Sequence, residues 1–226
     1  MWFTDLLMFF FPVHCLVCGK RVSFPGVVLC LKCEFGLPKT SFRNYINNPV
    51  CQAFWGRVPV EMGISLFRFE KGSAYQSLLH ELKYRGNRGA GVYLGKMLGN
   101  EIIHTIFSSC DIMVPVPLHR KRLKNRGYNQ SEIIALGTSE ITGIPVVSNL
   151  LKRSVHQHSQ TSMGRYERYQ NVLGNFFVCR DAPDVNGKKI LLIDDVVTTG
   201  STLEACIRAL LSNFECLIYV ATVSYA

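Results

Sequence analysis

The sequence predicts an α/β fold, a mainly parallel sheet flanked by helices, with a small metal-stapled module at its N-terminal end. Two observations carry this. From about residue 60 onward, strand-like apolar runs alternate with stretches whose apolar residues recur at helical spacing. Before that point the chain is rich in Cys, Pro and Gly and shows little periodicity. A length of 226 residues leaves room for one α/β domain and an appendage. The division falls at residue 58, giving a cysteine module over 1–58 and the α/β domain over 59–226.

Residues 64–69 and 112–116 read as strands from their apolar, branched content. Residues 73–84 carry Leu78, Leu79 and Leu82 on one face, and Leu94, Leu98, Ile102 and Ile106 recur four apart in the next helix. A third helix covers 128–142 and is closed by Gly143 and Pro145. Short strands follow at 176–178 and 189–193, then a helix at 203–211 and a last buried strand at 216–223. Two polar, basic loops, 117–127 and 153–171, separate these elements, and long loops in a compact domain are usually functional.

Hydrophobic residues at 48% and charged residues at 18% describe a folded chain rather than a disordered one. The net charge of +9 points to anionic partners: nucleic acid, phosphorylated metabolites or a membrane surface. Residues 1–13 are apolar, yet Asp5 interrupts them, Pro12 ends them and no Lys or Arg precedes them. They are too short for a bilayer span and lack the basic start of a signal peptide, so they are read as a short helix docked on its own domain. With no membrane span expected, the cytoplasm is the expected compartment. The nine cysteines are then metal ligands or buried small hydrophobes, because a reducing compartment disfavours disulfides.

The most informative segment is ILLIDDVVTTGSTL, residues 190–203. An apolar run suited to a buried parallel strand ends in Asp194 and Asp195, at the carboxyl edge where open α/β sheets bind ligands. Gly200 permits a tight turn, so that successive backbone N–H groups converge on one phosphate. The hydroxyls of Thr198, Thr199, Ser201 and Thr202 add donors, and the following helix adds its positive end. The two aspartates can accept from the hydroxyls of a ribose. A strand ending in DD is also what an ATPase uses to hold Mg²⁺, but that needs a GxxxxGK[ST] loop. The nearest candidate, Gly91 to Met97, is one residue short and has Met97 where a hydroxyl belongs. An ordinary strand–turn–helix with a solvated acidic pair is the bland alternative.

DDVVTTGSTL resembles the motif by which type I phosphoribosyltransferases bind phosphoribosyl pyrophosphate (PRPP). Three further segments resemble the ComF family associated with competence: LHELKYRG (79–86), VPVPLHRKRLKNRGYNQ (114–130) and QTSMGRYERYQNVLGNF (160–176). The resemblance implies a type I phosphoribosyltransferase fold with an N-terminal zinc finger. It also implies PRPP as ligand, Mg²⁺ bound with it, and a link to DNA uptake. It places the basic segment holding Arg120, Arg122 and Arg126 where such enzymes hold pyrophosphate, and Lys83 and Arg85 near the same site.

Guanidinium forks match the oxygens of a dense anion, so the basic segments suit pyrophosphate chemically. A solvated loop and a contact to nucleic-acid backbone remain open for residues 118–126. The stretch 156–169 reads as a polar loop of the kind that closes over substrate. His156 and His158 within it are read as bystanders rather than metal ligands. Cys15, Cys18, Cys30 and Cys33 form CxxC–x₁₁–CxxC, in which two turns bring four thiolates around one Zn²⁺. A redox pair is disfavoured because two copies lie outside any strand–helix unit, and an iron–sulfur cluster stays open as a minor alternative. Cys51, Cys110, Cys179, Cys206 and Cys216 are read as buried small residues.

Two functions from different classes follow. The first is Mg²⁺-dependent transfer of phosphoribosyl from PRPP to a nitrogen acceptor, with Asp194 and Asp195 at the reacting ribose. The second is a non-catalytic competence protein that binds single-stranded DNA or a helicase partner. Residues 118–126 have no aromatic and 156–169 have only Tyr166 and Tyr169, so a base-stacking platform is not expected in the loops. Amidophosphoribosyltransferase shares the ribose-phosphate loop, but the chain is too short for a glutamine-hydrolysing domain.

Overall fold

A computed structural model describes residues 13–22, 26–154 and 175–226. The apolar segment before residue 13, His156, His158 and most of the 153–171 stretch lie outside the described residues. The elements run, in chain order, α1 (Leu31–Phe35), α2 (Pro49–Gln52), β1 (Met62–Arg68), α3 (Gln76–Tyr84) and α4 (Arg88–Ile102). A 3₁₀ turn (Ile106–Ser109) leads to β2 (Ile112–Pro115), α5 (Arg120–Arg126), α6 (Gln130–Thr142), β3 (Leu151–Arg153) and β4 (Phe176–Val178). β5 (Lys189–Val197), α7 (Ser201–Leu211) and β6 (Leu217–Tyr225) complete the described elements.

β1, β6, β5 and β2 form a four-stranded sheet in that order, with every pairing parallel. The segment after α6 extends it: Met113 donates to Pro145 O at 2.8 Å and accepts from Val147 N–H at 2.8 Å. β3 and β4 make a separate antiparallel pair. Alternate strand residues feed two cores, as the period of 2 requires. Leu191, Ile193, Tyr219, Ala221 and Val223 face α3, α4 and α6. Ile190, Leu192, Ile218 and Val220 face α7, together with Val50 and Phe54 from the segment before β1. A sheet covered on both faces needs such continuous apolar strands.

Helices α4 and α6 approach backbone to backbone. A Cβ on Gly95 would lie 2.2 Å from Ile134 O, and one on Gly137 would lie 2.3 Å from Val92 O. Only glycine fits at either place, and the contact fixes where the N-terminal end of α6 lies relative to the sheet edge.

The sequence reading differs from the structure at 117–127, expected as a loop. Residues Arg120–Arg126 are helical. RKRLKNR has a single apolar residue, so no periodicity announces the helix, but its ends are well satisfied. His119 Nδ1 accepts from Lys121 N–H at 3.2 Å, and Gly127 closes it with φ 75°.

The N-terminal module is folded around its cysteines. Cys15 N–H donates to Lys20 O at 2.8 Å and Gly19 N–H to Cys15 O at 2.9 Å, forming one knuckle turn. Cys33 N–H donates to Cys30 O at 2.9 Å at the start of the other. Val22, Val28, Leu29 and Leu37 join the same apolar cluster as Leu66 and Phe67 of β1. Cys51, Cys110, Cys179 and Cys206 are buried and Cys216 is partly so.

Candidate functional site

The carboxyl ends of β2 and β5 open into a cleft of about 250 Å³, lined by Asp194, Asp195, Thr198, Thr202, Ser131, Lys83, Arg122, Arg126 and Arg153, among others. Its floor follows from the strand alternation. Asp194 continues the α7 face of β5 and Asp195 the α3 face, so consecutive carboxylates meet different neighbours. Asp194 Oδ1 accepts from Ser131 Oγ at 2.8 Å and from the Asp195 N–H at 2.9 Å. Asp195 Oδ2 lies 2.9 Å from the Lys83 ammonium. That contact is an ion pair off the hydrogen-bonding direction, and Oδ2 is buried without a hydrogen-bond partner.

Both carboxyls are buried, and this sets their chemistry. Burial, and then the charge of Asp195 beside it, raises Asp194 to about 7; the Ser131 and backbone hydrogen bonds and Lys83 oppose this without cancelling it. A carboxyl in this position takes up positive charge or a hydrogen-bond donor readily. Such shifts concentrate where charge is to be handled.

The loop after β5 turns at Gly200, with φ 72°, which is also the N-cap of α7. A Cβ there would sit 2.9 Å from Phe54 Cε1, so both conformation and space call for glycine. Thr198 and Thr202 face the cleft, while Thr199 and Ser201 contact each other, Oγ1 to Oγ at 3.0 Å. The back of the loop is held by Arg57. Its guanidinium donates to Thr199 O at 2.6 Å and Ala53 O at 2.7 Å, and it pairs with the fully buried Glu204. Arg208 takes the other oxygen of Glu204 at 2.9 Å. A loop tied down on its outer side presents its inner groups in fixed positions.

The GYNQ segment shapes the opposite wall. Tyr128 is buried and donates from its hydroxyl to Leu82 O at 2.5 Å, joining this wall to α3. Asn129 caps α6 and donates from Nδ2 to Val116 O at 3.0 Å. Gln130 Oε1 accepts from Arg126 at 2.9 Å. Arg122 and Arg126, four apart on α5, therefore share the face turned to the cleft. Arg126 also lies over the Tyr84 ring, 5.4 Å from its centroid.

At the N-terminal module the Sγ atoms of Cys15, Cys18, Cys30 and Cys33 all lie within 4.8 Å of one another. Cys18 and Cys30 are 3.7 Å apart, matching the edge of about 3.8 Å expected for four sulfurs at about 2.3 Å from a tetrahedral ion. None is in a disulfide. Without a cation the cluster is uneven: burial and then its three neighbours push Cys33 up to about 12, while the burial of Cys15 is outweighed by backbone hydrogen bonds that hold it down to about 6, a conflict between neighbouring sulfurs. A divalent ion relieves that conflict, so the donor set fits zinc.

Residues 130–225 match the phosphoribosyl transferase domain. Competence protein F of Haemophilus influenzae is 34% identical over 93 residues, which are 41% of this chain and 41% of that protein. Competence protein ComFC of Bacillus subtilis is 29% identical over 102 residues, covering 45% of this chain and 39% of that one. DNA utilization protein YhgH of Escherichia coli is 27% identical over 210 residues, covering 91% of this chain and 87% of that one. The chain is similar to these ComF-type competence and DNA utilization proteins and carries a phosphoribosyl transferase domain match. The match thus spans about two fifths of each of the two competence proteins and most of the Escherichia coli relative.

Within this fold, Asp194, Asp195, Thr198, Thr202, Lys83, Arg122 and Arg126 come together in one cleft. Arg85 and Arg120 do not line it; Arg85 is exposed and pairs with Glu81 at 3.0 Å. Three contributors were not singled out from the sequence. Arg153 reaches the cleft from the end of β3, with its guanidinium 5.1 Å from the Phe176 ring centroid. Ser131 was hidden inside a helix-forming run. Arg57 acts on the loop from 142 residues away, and no local signal marks it. Among the described residues no helix is long and apolar enough to cross a membrane.

Proposed function

We propose that this chain binds PRPP in the cleft and transfers its phosphoribosyl group to a nitrogen acceptor. The observation that carries this is the convergence of two buried carboxylates, a hydroxyl-bearing helix start and a set of cations in one opening. The 5′-phosphate suits the 198–202 turn, where Gly200, the hydroxyls and the start of α7 supply donors. The ribose hydroxyls suit Asp194 and Asp195. Lys83, Arg122 and Arg126 suit the pyrophosphate, and Arg153 adds a fourth cation.

In the transfer the C1–O bond to pyrophosphate breaks and a C1–N bond forms, and the proton of the acceptor nitrogen passes to solvent as pyrophosphate leaves with the bonding electron pair. The sugar becomes positive and the leaving group gains negative charge. The two carboxylates stabilise the former, as they do in glycoside chemistry, and the cations the latter. Asp194 and Asp195 offer the hard oxygen donors that Mg²⁺ takes together with substrate phosphates, and Oδ2 of Asp195, ion-paired to Lys83 but without a hydrogen bond, would be one of them. Bound Mg²⁺ would supply charge neutralisation at the diphosphate. We assign the four-cysteine site to a structural zinc ion that stabilises a module poor in core. We place the chain in the cytoplasm, the kind of reducing compartment in which a four-thiolate metal site is kept from disulfide formation.

The test is calorimetric titration with PRPP in Mg²⁺, with ribose 5-phosphate as control. Saturable binding that favours PRPP is expected, and it should vanish when Asp194 and Asp195 are both replaced by Asn. Unchanged affinity in the double variant would refute the site. A second reading, contact with single-stranded DNA, is favoured by one observation. Tyr84 is 69% exposed at the end of α3, with His80 4.9 Å from its ring, Arg126 beyond and Arg85 next to it. The aromatic that residues 118–126 lack is thus supplied by a helix. Salt-dependent binding of an oligonucleotide, weakened by Tyr84→Ala, is the expected result; salt-insensitive or undetectable binding counts against it.

A further inference from the structure

We infer that Lys83 sets the preference for PRPP over ribose 5-phosphate, by leaving Asp195 for the pyrophosphate when ligand enters. The inference rests on the phosphoribosyl reading above. Lys83 is largely buried, with its side chain 23% exposed, and its ammonium lies against Asp195 Oδ2. A ribose hydroxyl donating to that carboxylate competes with the ammonium for the same buried oxygen. Lys83 must therefore find another anion or lose a charge partner in a place with little water.

Its surroundings decide which ligand can offer one. Lys83 also lines a hollow of about 580 Å³ that Asp195 does not reach, together with Arg85, Arg122 and Arg126. An ammonium entering that hollow alone meets like charge. It is welcome there only if a dense anion arrives with it. PRPP brings a diphosphate on C1; ribose 5-phosphate brings none. The ion pair with Asp195 therefore acts as a placeholder that a ligand lacking pyrophosphate displaces at a cost and PRPP displaces without one.

Lys83→Met and Lys83→Arg separate this from a merely structural role. Calorimetric titration in Mg²⁺ of wild type and both variants gives affinities for PRPP and ribose 5-phosphate, and thermal melts confirm that each variant is folded. In Lys83→Met the affinity for PRPP should fall on the order of tenfold or more, the weight of one charge-assisted contact. Affinity for ribose 5-phosphate should hold or rise, so the preference narrows. Lys83→Arg keeps the charge and should keep most of the preference. A parallel loss of both ligands, or an unchanged ratio, would overturn the exchange while leaving the PRPP site standing. Wild type that binds neither ligand would overturn both.

Discussion

Replacing Asp194 by Asn should stabilise the protein at neutral pH while removing its ligand. Burial, with the charge of Asp195 beside it, moves this carboxyl from an ordinary 3.8 to about 7. Between those values the folded state holds a proton that the unfolded chain has released, so stability falls as pH rises. At about 1.4 kcal/mol per pH unit, the loss reaches about 4 kcal/mol above pH 7. Asparagine has nearly the same shape, stays neutral, and its Oδ1 can still accept from Ser131 Oγ and the Asp195 N–H. Urea unfolding followed by circular dichroism, from about pH 5 to about pH 8, should show the variant gaining steadily on wild type up to pH 7 and levelling off above it. The comparison is a difference at each pH, so effects of pH on the cysteine module cancel. An advantage that is absent, or that does not grow with pH, would show that the carboxylate is held ionised by contacts and that burial does not govern it. The gain should coincide with loss of PRPP binding, the trade expected where a strained charge serves function.

Gly200→Val should lower the melting temperature and abolish phosphate binding: a left-handed β-branched residue costs about 1–2 kcal/mol before the contact with Phe54 is counted. Differential scanning calorimetry and titration with PRPP measure the two effects separately. Elemental analysis should find one zinc ion per chain, which Cys15→Ser should lose; a native-like melting temperature without metal would contradict the structural assignment. Arg57→Ala should cost about 2–3 kcal/mol in urea unfolding, less than a fully broken buried pair because Arg208 stays on Glu204. Adding Glu204→Gln should recover part of that loss, and no recovery would mean that the contact to Thr199 O dominates.

What could be read in the sequence follows the range of the physics involved. β5, the turn and α7 are specified locally: a branched apolar run, two carboxylates and a glycine among hydroxyls state strand, edge and helix start within fourteen residues. The cysteine spacing is equally local. The four strands of the parallel sheet, β4 and the larger helices lie within a few residues of their expected places, because a sheet buried on both faces imposes apolar runs; β3, three residues long, carries no such signal. α5 was missed because its stabilisation comes from caps at His119 and Gly127, not from an apolar stripe. Arg57, Ser131 and Arg153 were missed for a different reason. Each is an ordinary residue whose role exists only once distant segments meet. Residues 118–126 carry no aromatic of their own, yet Tyr84 reaches Arg126 from another element.

The glycine contact between α4 and α6 has a consequence for how this protein can change. Gly95 and Gly137 belong to different helices, yet neither has room for a methyl group. Adding one would push α6 outward, and α6 carries Ser131, six residues from Gly137, to its bond with Asp194. The position of the Asp194 carboxyl's partner at the sheet edge is thus gauged by a spacing set on the far side of the helix pair. Neither member of that pair can be enlarged without shifting Ser131 against the Asp194 carboxyl.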